Sequence, residues 1–190
     1  MSASVILTVI GPDRPGLTQA IAAAVVESGG NWLESHLSNM AGMFVGSVHV
    51  ELAGQSLTAL QEAVTKLDPA GLQVTVLPVG STQATDSDLD HWLFLELVGQ
   101  DRPGIVQEVT SALAALKVNI ATFESSIEDS SWSGAKLFRA TAELSLPAET
   151  TEDQVRDALE LLSGEIMVDL EAVEDGPIIP RPDPTPASSR

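Results

Sequence analysis

The four residues Asp13-Arg14-Pro15-Gly16 return as Asp101-Arg102-Pro103-Gly104, each time a few positions after an apolar run. Sliding the chain on itself by 88 positions aligns Gly11 with Gly99 and carries the neighbours along. Leu17, Ile21, Ala24 and Val25 fall on Ile105, Val109, Ala112 and Leu113, and Asn31 falls on Asn119. Farther on the shift becomes 92, placing Gly42 on Gly134 and Glu51-Leu52 on Glu143-Leu144. A repeat this long exceeds the roughly 20–50 residues of stacked solenoid units, so it is a duplicated domain. Each copy must then close a core within roughly 75–80 residues, near the lower limit for a stable domain.

Within each copy the periodicity is readable. Val5–Ile10 and Trp92–Val98 are short, almost wholly apolar runs, as expected of strands in the middle of a sheet. Apolar residues at 17, 20, 21, 24 and 25, and at 105, 109, 112, 113 and 116, follow helical spacing. Pro15 and Pro103 suit the first helical position, where a missing N–H costs nothing. Two alternating strands come next: Phe44, Gly46, Val48, Val50 and Leu52 share one face, and so do Phe138, Ala140, Ala142, Leu144 and Leu146. Ala41-Gly42 is placed to turn the first hairpin, and Glu128–Gly134 makes a longer turn in the second. Ser56 opens a helix with the stripe Leu57, Leu60, Val64 and Leu67. Its counterpart begins at the capping-box pattern Thr151-x-x-Gln154 and carries Val155, Ala158, Leu159 and Leu162. Leu72–Val79 and Ile166–Val173 close the copies as strands. The order is βαββαβ twice, an α+β fold of two tandem ferredoxin-like domains. Each is a four-stranded antiparallel sheet with two helices on one face.

The expected boundaries are a first domain over 1–80, a polar acidic linker over 81–91, a second domain over 92–174 and a Pro-rich tail over 175–190. Proline density bars the tail from helix or ladder; an arm docking through Ile178 and Ile179 is the sharper alternative.

Charge narrows the partners. The net charge is −18 with nine Lys and Arg scattered over the chain, so its field repels nucleic acid and anionic membranes. The absence of cysteine removes disulfides, thiolate metal sites and a cysteine nucleophile. No run reaches the roughly 18 apolar residues of a membrane span, and the start carries no basic segment of a leader; both point to the cytoplasm.

The Asp-Arg-Pro-Gly stretch sits between a strand and a helix. Gly11 and Gly99 permit backbone angles that β-branched residues resist. Asp13 and Asp101 are placed to accept backbone N–H bonds of the helix start. Gly16 and Gly104 leave the first turn open to something approaching the backbone, where the helix dipole favours a small carboxylate. Against this, the stretch is equally a tight turn and cap with no ligand.

These segments, Gly11–Leu17 with Ser28-Gly-Gly-Asn31 and Gly99–Ile105 with Lys117-Val-Asn-Ile120, resemble ACT domains, small regulatory modules that commonly bind amino acids. The resemblance covers residues 5–79 and 92–173. It implies a ligand pocket lined by the strand–helix turn and the asparagine opening the second strand, usually between two modules. On this chain that designates Gly11, Asp13, Gly16 and Asn31, and Gly99, Asp101, Gly104 and Asn119. Leu17 and Ile105 match the apolar position after the motif glycine. Two such modules without another domain resemble the glycine cleavage system transcriptional repressors, a family acting through a DNA-binding partner. The resemblance implies an amino acid ligand, no cofactor, and a protein partner that regulates transcription. It also implies no direct contact with nucleic acid, and pairing of modules within or between chains. Similar modules resemble regulatory parts of formyltetrahydrofolate deformylase, nitrogen-sensing uridylyltransferases and phosphoserine phosphatase, whose catalytic domains have no room here. A ligand-independent module docking a metabolic enzyme is the alternative. Pro12 against Gln100 and Gly30 against Val118 make the two sites unequal, and Gly29-Gly30-Asn31 favours the first.

Catalytic signatures are missing from the sequence. No nucleophile elbow, phosphate-binding loop or dinucleotide fingerprint occurs, and the alternating Asp86, Asp88 and Asp90 lack the glycine that a calcium loop needs. His36 and His49 can approach across the first hairpin near Glu34 or Glu51, but a metal normally takes three or four protein ligands. No catalytic or metal residue is assigned. Trp32 and Trp132 are expected to be structural.

Overall fold

In each copy the two strands richest in apolar residues take the middle of a sheet. The structure, a computed structural model, describes residues 2–53, 56–67, 71–79, 91–129, 136–162 and 166–173. The expected linker apart from His91, the tail and the turn holding Trp132 lie outside the described residues. The chain divides into units Met1–Ala84 and Thr85–Arg190.

Unit 1 runs β1 (Ser2–Pro12), α1 (Leu17–Glu27), β2 (Gly30–Met40), β3 (Met43–Ala53), α2 (Leu57–Thr65) and β4 (Gln73–Val79). Unit 2 repeats the order with β5 (His91–Gln100), α3 (Ile105–Ala115), β6 (Asn119–Asp129), β7 (Lys136–Leu146), α4 (Glu152–Glu160) and β8 (Met167–Val173). The sheets are ordered β2-β3-β1-β4 and β6-β7-β5-β8, with every pairing antiparallel. This is the duplicated ferredoxin-like βαββαβ fold.

The alternation of strand residues decides which sheet face is buried. In unit 1, Val5, Leu7 and Val9 of β1 join Phe44, Val48, Val50 and Leu52 of β3 in one core. The helices close it with Leu17, Ile21, Ala24, Val25, Leu60, Ala63 and Val64, and Trp32 packs at its margin. Unit 2 builds the same layer from Leu93, Leu95 and Leu97, the five alternating residues of β7, and Ile105, Val109, Leu113, Val155 and Leu159. The helices therefore cover one face of each sheet.

The alignment of the third strands needs correction. The register sets Ile6 opposite His49 and Phe94 opposite Glu143, so these strands correspond by a shift of 94, not 92. Glu51-Leu52 matches Ser145-Leu146. A two-residue slip keeps every side chain on its proper face, which is why periodicity alone does not expose it.

Element ends follow local chemistry. Ala41 and Gly42 both have positive φ, 52° and 80°, as a two-residue hairpin turn of type I′ demands. At α4, the Gln154 N–H donates to Thr151 Oγ1 at 3.3 Å and the Thr151 N–H donates to Gln154 Oε1 at 2.9 Å, completing the capping box. Past α3, Lys117 holds φ 57° while the Val118 N–H reaches back to the Leu113 carbonyl at 3.0 Å. Lysine thus occupies a left-handed cap position where glycine belongs. Lys117→Gly is expected to stabilise unit 2 by about 0.5–1 kcal/mol in a urea titration, since relief of the left-handed strain exceeds glycine's added unfolded-state entropy.

Candidate functional site

The two Asp-Arg-Pro-Gly stretches form turns that deliver the chain into α1 and α3. Gly16 has φ 93° and ψ −3°, and Gly104 has φ 92° and ψ −5°. With proline just before, this is the third position of a type II turn, which requires positive φ. The Ile105 N–H closes the second turn on the Arg102 carbonyl at 3.3 Å. Pro15 and Pro103 therefore occupy the turn's second position rather than the first helical one, and the helices begin at Leu17 and Ile105. Nor does glycine stand there to make room. A Cβ on Gly16 would meet nothing within 4 Å, and one on Gly104 would come no closer than 3.9 Å to Glu108 Oε1. Conformation is the reason for glycine.

The aspartates do not cap the helices, for neither helix start receives a side-chain bond among the described residues. Their backbones pin the turns instead: the Asp13 N–H donates to Gly42 O at 3.1 Å and the Asp101 N–H to Lys136 O at 2.9 Å. Gly11 and Gly99 are buried within β1 and β5 at ordinary strand pairings with Phe44 and Phe138, without positive φ. At Gly11 a Cβ would lie 2.6 Å from the Gly71 carbonyl, so closeness to the neighbouring chain excludes a side chain.

Beyond the shared turn the units differ. Asn39 Nδ2 donates to Asp13 Oδ2 at 2.5 Å while Asn39 Oδ1 accepts from the Gly42 N–H at 3.2 Å, so Asn39 ties the first turn to its hairpin. Asn39 pairs with Phe44; the residue in that position of unit 2, facing Phe138, is Ile127. The tie is lost there, and a cavity of about 410 Å³ lies against the second turn. Asp101, Arg102, Gly104, Ile105 and Val106 form one side of it, and Ser125, Ser126, Ile127 and Phe138 the other.

Arg102 is engaged at the rim. Its Nη1 donates to Glu108 Oε1 at 2.6 Å and its Nη2 to Oε2 of the same carboxylate, a two-pronged pair. The hydrogen bond from Arg102 holds the Glu108 carboxyl below its usual value; partial burial opposes this and the charge of Arg102 adds to it. In unit 1, Ala20 stands at the position of Glu108, and Arg14 makes no ion pair among the described residues. Because the folded-state value is lowered, the pair's contribution is present above the unfolded carboxyl range and lost as pH falls through the lowered value. Arg102→Gln is expected to return the Glu108 titration, followed by carbon NMR of its carboxyl, upward to the ordinary range.

Of the expected site residues, Asp101, Gly104 and Ile105 meet at this cavity, with Ile105 also anchored in the core. Leu17 is buried in the first core, while Asp13 and Gly16 are exposed at the first turn. Asn31 and Asn119 are exposed and distant from the turns of their own units. Asn119 pairs with Ser145 on the row of Trp92, whereas Gly99 lies seven strand residues on. That is about 23 Å at the usual rise. Asn31 stands likewise on the row of Ser4, against Gly11. Glu108, Ser125 and Ile127 line or edge the site although no sequence motif marks them.

His36 and His49 have separate side-chain partners. His49 Nε2 sits 2.5 Å from Ser4 Oγ, and His36 Nε2 lies 3.1 Å from Glu34 Oε1. Among the described residues no three His, Asp or Glu side chains are grouped to hold a metal ion, and no helix is long and apolar enough to cross a membrane.

Fold and turn are both duplicated, and sequence comparison identifies the kind of module. The ACT domain family matches residues 3–76 and again residues 94–159, so the chain belongs to the ACT domain family. No curated protein matches it. Among solved structures, an unknown protein from Galdieria sulphuraria shares 25% identity and a TM-score of 0.76, covering 91% of this chain and 99% of that one. A provisionally assigned glycine cleavage system transcriptional repressor superposes with a TM-score of 0.67 at 14% identity, covering 92% of this chain and 99% of its own. The second likeness shows the fold alone.

Proposed function

We propose that this chain is a non-enzymatic regulatory protein that binds an amino acid or similar small carboxylate at the second turn, and so modulates a partner protein. The cavity beside Asp101 carries the reading. Asp101 supplies a carboxylate for a ligand ammonium group, and the start of α3 supplies the positive end of a helix dipole for its carboxylate. Ile105, Val106, Ile127 and Phe138 offer an apolar wall for a side chain. In unit 1 Asn39 ties the corresponding turn to its hairpin, and this reading assigns the ligand to unit 2. Asn31 and Asn119 lie too far from their own turns to touch the same small ligand. They enter the site only where two modules pair, within one chain or between chains, the turn of one meeting the asparagine of the other.

Membership of a family of regulatory modules supports the modulatory role. The likeness to a glycine cleavage repressor suggests a partner that regulates transcription in glycine or one-carbon metabolism, with that partner touching DNA. A net charge of −18 agrees, since this chain is ill suited to grip phosphates itself. Ligand binding acts through whatever difference in affinity the two partner-binding states have for it.

Backbone NMR of the labelled full chain, titrated with each amino acid, tests the site. Shifts concentrated at Gly104–Gln107 and Ser125–Ile127 and lost in Asp101→Ala support it. Shifts confined to the first turn, or none with any amino acid, overturn it and favour a ligand-independent module that docks a metabolic enzyme.

A further inference from the structure

The sheet face opposite the helices differs sharply between the units. Residues paired across strands share a face, so register gives its composition. In unit 2 it carries Glu96 of β5, Glu124 and Glu128 of β6, Glu143 of β7, and Asp169 and Glu171 of β8. At matched positions in unit 1, Thr8 stands for Glu96, His49 for Glu143, Thr75 for Asp169 and Leu77 for Glu171. Among the described residues the same face of unit 1 carries only Glu34 and Glu51 as acids, beside His36 and His49, so the acidity is concentrated in unit 2.

Two further observations bear on what this face lacks. Arg139 is its one basic residue among the described positions, and it is gripped from both sides, by Glu96 through Nη1 and by Glu128 through Nε at 3.4 Å. Two polar atoms on the same face of β7, Glu143 Oε2 and Ser145 Oγ, are buried with no hydrogen-bond partner among the described residues, and Ser145 is fully buried. A buried carboxylate oxygen lacking a donor is costly, and a donor from outside would remove that cost. Trp92, Phe94 and Val98 lie between the carboxylates, half-buried, as flat apolar ground on which a guanidinium can stack.

We infer that this face of unit 2 docks an arginine- or lysine-rich segment of another protein, seated on Trp92 and Phe94 and paired with Glu96, Glu124, Glu143, Asp169 and Glu171. It rests on the reading above only in supplying a surface for that reading's partner. Nucleic acid and anionic lipid are repelled by the same charge. A metal ion is not the occupant, since no three carboxylates close on one point among the described residues. A second copy is not either, for the chain's nine basic residues form no complementary cluster.

The test uses the full chain and a fluorescent peptide of alternating arginine and leucine pairs, with a glutamate-leucine peptide as control. Three exposed carboxylates outside the Arg139 ion pairs are neutralised together, Glu124→Gln, Asp169→Asn and Glu171→Gln. A matched set in unit 1, Glu27→Gln, Glu51→Gln and Glu62→Gln, removes the same charge elsewhere. The expected result is at least a tenfold loss of peptide affinity in the first set and less than twofold in the second, with unchanged melting temperatures. Carbodiimide cross-links from a lysine version of the peptide should fall on the named carboxylates of β5, β6, β7 and β8. Equal losses in both sets, cross-links elsewhere, or no binding would overturn the docking surface. A small polyamine competing as strongly, mole for mole, as the peptide would overturn it too, by showing diffuse charge attraction. The titration contains no amino acid, so a failed ligand site leaves its outcome untouched.

Discussion

Gly46→Ala is expected to destabilise unit 1 by about 3 kcal/mol, the upper end for forcing atoms into a filled site. Gly46 lies mid-strand in β3 with φ 155°, and a Cβ there would stand 2.0 Å from the His36 carbonyl oxygen and 2.9 Å from Leu37 Cα. Those obstacles are backbone of the paired strand β2, which cannot rotate away as a side chain does. The whole β2–β3 ladder must shift to admit one methyl group. Ala140 fills the same register position in unit 2, so the restriction arises from the local course of β2 rather than from the fold. Urea unfolding of the variant reads the loss directly. A change below about 1 kcal/mol would show that β2 moves aside freely.

The second large effect is expected at Phe138→Ala, about 3–5 kcal/mol, as for a buried aromatic cut to alanine. Phe138 is 5% exposed; it belongs to the core of unit 2 and also walls the cavity at the second turn. Its removal takes apolar area from the core and joins the resulting void to that cavity. Phe138→Leu keeps most of the packing and is expected to cost under about 1.5 kcal/mol. Equal losses for the two variants would mean that ring shape, not burial, sets the stability. The pair therefore separates the packing role of Phe138 in the core from the shape of its ring.

Elements with strong periodicity are legible in the sequence. Alternation in β3 and β7 and the stripes of all four helices reflect directly which residues the cores bury. The capping box at Thr151 is legible because both its members lie within one turn. The start of α1 and α3 is harder. Arg-Pro-Gly satisfies two rules at once, proline at a helix start and proline-glycine in a type II turn, and only backbone angles decide between them. The alignment of β3 with β7 slips by two residues because a slip of two preserves every face. The site itself is half legible. Asp101, Gly104 and Ile105 are marked by the repeat, but the exchange of Asn39 for Ile127 beside the turn is not. Asn39 acts on Asp13 across 26 residues of chain, a contact that no local pattern signals. The Arg102–Glu108 pair spans the turn in the same hidden way, and only its absence from unit 1, where Ala20 stands, makes it informative.

Thermal unfolding of the full chain with each of the twenty amino acids tests most directly whether the second turn is a ligand site. A ligand that binds only the folded state adds about 2.7 kcal/mol at one hundred times its dissociation constant. The expected result is that one or a few amino acids raise the melting temperature, that Asp101→Ala abolishes the rise, and that Asp13→Ala preserves it. No rise with any amino acid, or a rise that survives Asp101→Ala undiminished, would contradict a ligand site at the second turn.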